Sequence, residues 1–214
     1  VDARDAWLTL SAWGAPAPRA VAEALRRGVR AQDLVRGQGP LPAGLRRALA
    51  RARRRVDLDA LRADVEGLGQ VVLTPADAAW PGEQLAGLAD PPPALYVRGS
   101  APLPRPPAVA IVGTRACTPY GHDLARALAA DLSAAGLDIV SGLALGIDGA
   151  AHEGALDAGG RTQAVLAGGL DGVYPPEHRA LAERLVLDGG LVGEAPPGTR
   201  PERWRFPRRN RLVA

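Results

Sequence analysis

Residues 108–148 read AVAIVGTRACTPYGHDLARALAADLSAAGLDIVSGLALGID, and the reading of this stretch decides the fold. Ala108-Val109-Ala110-Ile111-Val112 is an apolar run of strand length that stops at Gly113-Thr114-Arg115. Thr118 can cap a helix and Pro119 suits its first turn, so a helix is expected over Tyr120–Ala135. A second short apolar run, Asp138-Ile139-Val140, follows and stops at Ser141-Gly142. Continuously apolar strands separated by amphipathic helices imply a mainly parallel sheet covered on both faces.

The alternation continues downstream. A helix is expected over Asp148–Ala158, a strand over Gln163–Leu166, a helix over Glu177–Leu187 and a strand over Gly190–Val192. Upstream, Val71-Val72-Leu73 and Ala94-Leu95-Tyr96-Val97 read as two more strands, the second entered through Asp90-Pro91-Pro92-Pro93. A proline-rich connector, Pro102–Pro107, leads back to the opening stretch.

Residues 1–68 have a different period. Val21, Leu25 and Val29, then Leu45, Leu49 and Ala52, recur at three and four, which predicts four or five short helices. Two domains are therefore expected: a small all-helical one at 1–68 and a Rossmann-like α/β one at 69–214. Small helical modules of this size resemble helix-hairpin-helix or SAM-like domains, although the Leu10–Pro16 turn lacks the usual hairpin glycine pattern. A DNA-contacting role and a protein-interaction or spacer role both stay open for it.

All 26 basic residues are arginine, and the formal net charge is +3. The charge is uneven. Residues 1–70 hold 13 Arg against 8 acidic residues, and residues 71–214 hold 13 against 15. Within the second part, the stretch from Gly198 onward carries six arginines and only Glu202. Concentrated positive charge is what a phosphate-binding surface requires. Cys117 is the only cysteine, which excludes an intramolecular disulfide and a cysteine zinc cluster. No signal peptide and no apolar run near 18 residues is present, so a cytoplasmic protein is expected. The chain lacks an initiator methionine and closes on the apolar Leu212-Val213-Ala214; a fragment of a longer protein, with its α/β domain cut short at the C-terminal end, is expected.

The strand ends carry the candidate chemistry. Gly113-Thr114-Arg115, Ser141-Gly142 and Gly168-Gly169-Leu170-Asp171 are small-residue turns where a parallel sheet binds its ligands. Glycine lets backbone approach a ligand, and helix N-termini supply free N–H groups. Arg115 adds a charge at that crevice. The final segment, Arg200-Pro201-Glu202-Arg203-Trp204-Arg205-Phe206-Pro207-Arg208-Arg209-Asn210-Arg211, sets two aromatic rings among arginines. Guanidinium groups fork onto phosphates and aromatic faces stack on unpaired bases, which is the chemistry of single-stranded nucleic-acid binding.

Enzyme readings are weaker. Asp148 and His152 stand four apart and could form an acid–base pair, but Asp148 at a helix start and a structural His152 are the simpler expectation. Ser141 lacks a nucleophile elbow, and His122, His152 and His178 lack metal-ligand spacing. The first turn does not give Gly-x-Gly-x-x-Gly, and no acidic residue closes the second strand for a ribose. A nucleotide-binding enzyme of the LOG-like phosphoribohydrolase kind is kept as the alternative, although its Pro-Gly-Gly-x-Gly-Thr block is missing.

Five motifs occur in one order: Asp90–Gly99, Gly113-Thr114-Arg115, the block Ser141–His152, Gly169-Leu170-Asp171 with Tyr174-Pro175, and Phe206–Arg211. Together they closely resemble the bacterial DNA-processing protein A (Smf) family, strongly from residue 70 onward and weakly before it. The resemblance implies an extended Rossmann-like domain preceded by a SAM-like helical one, and no cofactor. It implies a non-enzymatic homodimer that binds and protects single-stranded DNA and loads the RecA recombinase in natural transformation, with a single-strand binding protein as a further candidate partner. Residues matching the family's DNA-contacting motifs are Arg115, Arg203 and Phe206, with Arg209, Asn210 and Arg211 completing that segment. Gly113, Thr114, Ser141 and Gly142 are expected to supply backbone around the phosphate. The family often has a basic residue where Leu145 stands here and another near Pro176; their loss is expected either to weaken the pocket or to shift its charge onto Arg179 and Arg205.

Overall fold

The computed structural model describes all 214 residues. Five helices come first: α1 (Ala3–Ala12), α2 (Pro18–Arg26), α3 (Ala31–Arg36), α4 (Ala43–Ala52) and α5 (Leu58–Gly67). Asp2 and Asp57 cap α1 and α5 by accepting from the amides of Asp5 and Ala60. Leu10, Trp13, Val21, Leu34, Leu45 and Leu49 turn inward from four of these helices and their connections to form one apolar cluster.

The α/β part runs β1 (Val71–Leu73), α6 (Gly82–Leu85), β2 (Leu95–Arg98), β3 (Ala108–Ala110), α7 (Pro119–Ala134), β4 (Asp138–Ser141), α8 (Ile147–Asp157), β5 (Thr162–Leu166), α9 (Arg179–Asp188), β6 (Gly190–Gly193) and α10 (Arg205–Val213). One six-stranded sheet results, in the order β1-β2-β6-β5-β4-β3. β3 to β6 are parallel, with Val109 opposite Ile139, Val140 opposite Gln163 and Ala164 opposite Leu191; β1 and β2 pair antiparallel at the other edge. The expected mainly parallel α/β sheet is therefore present.

The two faces separate by the strand period of two. Ile139 packs with Ala129 of α7 and Ala151 and Ala155 of α8. Ala164, Leu191 and Tyr96 pack with Leu181 and Leu185 of α9, and Leu8 of α1 and Val65 of α5 join that same cluster. The helical segment thus shares core with the sheet. On the other face Val140 and Val165 meet Leu212 and Val213 of α10.

Two readings change in detail. β3 ends at Ala110, although the Ile111 amide still donates to Val140. More important, the Arg- and aromatic-rich segment, for which no element was expected, is from Arg205 the helix α10. Pro207 is the third residue of this helix, where its missing N–H would have had no intrahelical partner.

His152 and Asp148 do not form a pair. His152 is fully buried, and its Nδ1 donates to Thr162 Oγ1 at 2.7 Å, because that hydroxyl itself donates to the Ile139 carbonyl. Its Nε2 is buried without a partner. Burial, with His178 and Arg209 nearby, pushes the imidazole down to about 3 from an ordinary value of 6.5. The unfolded chain therefore binds the extra proton first. Stability should be full above pH 6.5 and fall as pH drops toward 3, by up to about 1.4 kcal/mol per pH unit from this group. Thermal unfolding followed across that window should show the decline, and His152→Gln should make it shallower.

Candidate nucleic-acid interface

The site begins at the carboxyl ends of β3 and β4. Asp148, in the first turn of α8, is buried and accepts from two strand-end amides: Gly113 at 3.2 Å on Oδ1 and Gly142 at 3.1 Å on Oδ2. One carboxylate thus joins the two turns. Gly146 enters α8 at φ +77°, and an added Cβ there would run into the Thr114 carbonyl, so the turn after β3 can lie directly against this helix. Residues 113–116 remain exposed, with Thr114 Oγ1 accepting from the Ala116 amide to shape the bend.

Arg209 reaches into the crevice from α10. Only 6% of it is exposed. Its Nη1 donates to the Gly142 carbonyl at 2.7 Å and to the Val165 carbonyl, and its Nε to Asn210 Oδ1. A Cβ on Gly142 would stand 2.6 Å from this guanidinium, so a side chain there would push Arg209 off its carbonyls. Burial lowers the Arg209 pKa, and Asp148 opposes that shift while Arg115 adds to it. The lowered value still belongs to an arginine, so the cation persists.

This docking presents Phe206. Tyr174 meets its ring edge-on at 5.8 Å between centroids and 63° between planes, and the Arg115 guanidinium lies 5.3 Å from its centre. Arg115, Phe206 and Tyr174 line a small cavity with Gly142, Ala144, Leu145 and Pro175. A larger one of about 410 Å³ adjoins it through Arg115, Gly142 and Ala144, and is bordered by Gly113, Asp148, Arg209 and Asn210.

The structure therefore brings together Gly113, Arg115, Gly142, Phe206, Arg209 and Asn210, with Thr114 on the same turn. Three expected residues lie elsewhere. Ser141 is buried and its hydroxyl donates to the Ile111 carbonyl at 2.6 Å, so it ties β4 to β3. Arg211 pairs with Glu194 and with Asp90 at 3.4 Å. Arg203 is exposed but lines neither cavity. Arg209, expected to hold a phosphate, has its inner nitrogen committed to two carbonyls; desolvated charge needs such partners. Leu145 and exposed Tyr174 complete the wall, and neither Arg179 nor Arg205 replaces the charge missing there: Arg205 lies over the Trp204 ring at 4.4 Å. Tyr174 was legible only as part of a turn motif; its contact with Phe206 depends on α10 being a helix.

Fold and site define an α/β protein with a Rossmann-like sheet and an arginine- and aromatic-lined crevice at its strand ends. The chain belongs to the DNA recombination-mediator protein A family, whose sequence model matches residues 71–214. A Mycobacterium tuberculosis chain assigned as DNA processing protein DprA is 42% identical over 209 residues, covering 92% of this chain and 51% of that one. The DNA processing protein DprA of Bacillus subtilis is 40% identical over 131 residues, covering 61% and 44%. This chain spans about half the length of the curated relatives it matches. Among solved structures, DNA processing protein A of Streptococcus pneumoniae superposes with a TM-score of 0.76 at 27% identity, over all of this chain and 74% of the other. That of Helicobacter pylori, described for its single-stranded DNA binding mode, gives 0.57 at 33% identity, over 67% and 64%.

The Asp148 bridge has a measurable cost. In Asp148→Asn the amide can accept from one backbone N–H but turns a donor toward the other. Hydrogen bonds to a buried charge contribute about 1.5–3 kcal/mol, so urea unfolding should show a loss of that order. Glu153→Gln, on the outer side of the same helix, should change stability by less than about 0.5 kcal/mol.

Proposed function

We propose that this chain binds single-stranded DNA through the Arg115–Phe206 cavity and serves as a recombination mediator that shields the strand and delivers it to a RecA-type recombinase as a homodimer. The observation that carries the reading is the meeting of an exposed arginine, a stackable ring and an exposed glycine turn at one strand end. Family membership and the likeness to a neighbour described for its single-stranded DNA binding mode support it.

In the free protein Arg115 covers part of the Phe206 ring. An exposed cation–π contact is worth about 0.5–1 kcal/mol. A guanidinium–phosphate pair is a charge-assisted, forked contact and is stronger. Arg115 therefore turns to a phosphate when a strand arrives, and the freed ring face receives a base. The amides of Thr114 and Arg115, between the Gly113 amide held by Asp148 and the Ala116 amide held by Thr114 Oγ1, take a neighbouring phosphate oxygen. A duplex keeps its bases stacked on one another and cannot use the ring. Arg203 and exposed Trp204 continue the contact toward the start of α10. Arg209 acts as a positioning residue through its hold on Gly142 and Val165.

Fluorescence anisotropy with labelled oligo-dT and a matching duplex tests this. Tight binding to the single strand, weak binding to the duplex, and losses of at least about ten-fold in Arg115→Ala and Phe206→Ala are expected; removing a stacking partner costs about 1–3 kcal/mol. Affinity should fall with salt at a slope of about 0.7 per phosphate neutralised. Trp204 is the only tryptophan among the exposed large hydrophobic residues, so quenching of its emission should follow the same isotherm. Equal binding to both DNA forms, or wild-type affinity in both variants, would overturn the reading and return the crevice to small nucleotides.

A further inference from the structure

Residues 34–56 hold seven arginines, at 36, 46, 47, 51, 53, 54 and 55, and no acidic residue. All seven are exposed. The ion pairs of the helical segment fall instead on Arg4, Arg26, Arg27, Arg30 and Arg62. Arg46, Arg53 and Arg54 donate to backbone carbonyls of Gly37 and Gly39, Val35, and Ala12, contacts that aim a guanidinium without neutralising it. Arg47 and Arg51 stand one turn apart on α4, opposite the buried Leu45 and Leu49. Folding does not need this charge, because the inward leucines dock the helix and like charges one turn apart repel. Nor is unpaired arginine general in this chain: Arg126 and Arg184 share Asp157.

The patch is joined to the site already described. A cavity at the junction of the two parts is lined by Ser11, Ala12, Gly14 and Arg54 on one side and by Glu194, Arg205 and Arg208 on the other. Arg208 donates to the Gly14 carbonyl at 3.4 Å and pairs with Glu194. Arg205 immediately precedes Phe206. At the junction Arg205 is paired with Glu202 at 3.7 Å and Arg208 with Glu194; exposed arginines lie on either side of it, Arg115 at the Phe206 cavity and Arg54, Arg51 and Arg47 on the helical segment.

We infer that the helical segment carries a second phosphate-binding surface, formed by Arg47, Arg51 and Arg55 with Arg54 at the junction, for the backbone of the same single strand that occupies the Phe206 cavity. The inference rests on the function proposed above. Trp7 and Trp13 are not exposed, so this surface holds phosphates and offers no ring to bases. Its contribution is insensitive to sequence, depends on salt, and is felt only by strands long enough to reach it.

Anisotropy with two oligo-dT probes, one of roughly six nucleotides and one of roughly 25, brackets the span of a single-strand site. Arg47, Arg51 and Arg55 are changed together to Gln in the full chain, and thermal melts confirm folding. The triple variant should lose at least about ten-fold more affinity for the long probe than for the short one. Its salt slope on the long probe should be shallower by about 2, from three phosphate contacts at about 0.7 each. The matching triple Lys variant, which keeps the charge, should recover most of the binding. Wild-type affinity and slope on the long probe in the Gln variant would overturn the inference while leaving the cavity reading intact through Arg115→Ala. Full binding of both probes by Arg115→Ala would overturn the cavity reading and the joint track with it.

Discussion

The structure depends on one buried cation. Arg209 lies between the ends of β4 and β5, where its inner nitrogen satisfies the carbonyls of Gly142 and Val165. Those carbonyls end a parallel sheet, and without a donor they would be buried acceptors with no partner. The Asp148 carboxylate is also buried there, held by the amides of Gly113 and Gly142, and its charge favours the guanidinium. Gly142 is thus gripped at both ends, by Asp148 through its amide and by Arg209 through its carbonyl. The turn after β3, the turn after β4 and the helix α10 become one unit.

That unit explains how a run of arginines can both build a site and serve it. Arg208, Arg209 and Arg211 face inward or lie in ion pairs with Glu194 and Asp90, and they fasten α10 across the strand ends. Arg115 and Arg203 stay exposed. Phe206 gains its place from its neighbours: with Arg209 seated, the preceding turn of helix brings the ring against Tyr174 and under Arg115. The aromatic contact is a consequence of the cation's burial three residues later, so cavity geometry and helix docking are coupled.

The sheet was legible because its signal is local. Apolar runs such as 108–112 and 163–166, broken by glycine turns, have a strand's length and period wherever they sit. The site was legible only in part. Gly113, Arg115, Gly142 and Phe206 were identified from turn chemistry and family motif, and they do meet. Arg209 and Arg211 read as surface charge, since burial of an arginine depends on carbonyls and carboxylates distant in sequence. Gly142 lies 67 residues from Arg209 in sequence. Asp148 at a helix start and a structural His152 were legible from their spacing, but their partners were not, because Gly113, Gly142 and Thr162 come from neighbouring strands. No helix was expected over 205–213; Pro207 is compatible with one only because it falls in the first turn.

The exclusive use of arginine acquires a physical meaning at this site, whatever set it in the composition. A lysine at 209 would bring a compact, strongly hydrated ammonium into a position where burial already lowers the arginine's pKa, and a buried ammonium gives up its proton readily. Neutral, it could no longer balance Asp148, and the carboxylate would be left as an unpaired charge beside two strand ends. Arginine stays charged through the same desolvation and presents donors in a plane that two converging carbonyls can share. The property that makes guanidinium suited to phosphate at Arg115 is what makes it suited to the sheet at Arg209. One side-chain chemistry thus fastens the helix on its inner face and leaves cationic surface on its outer one.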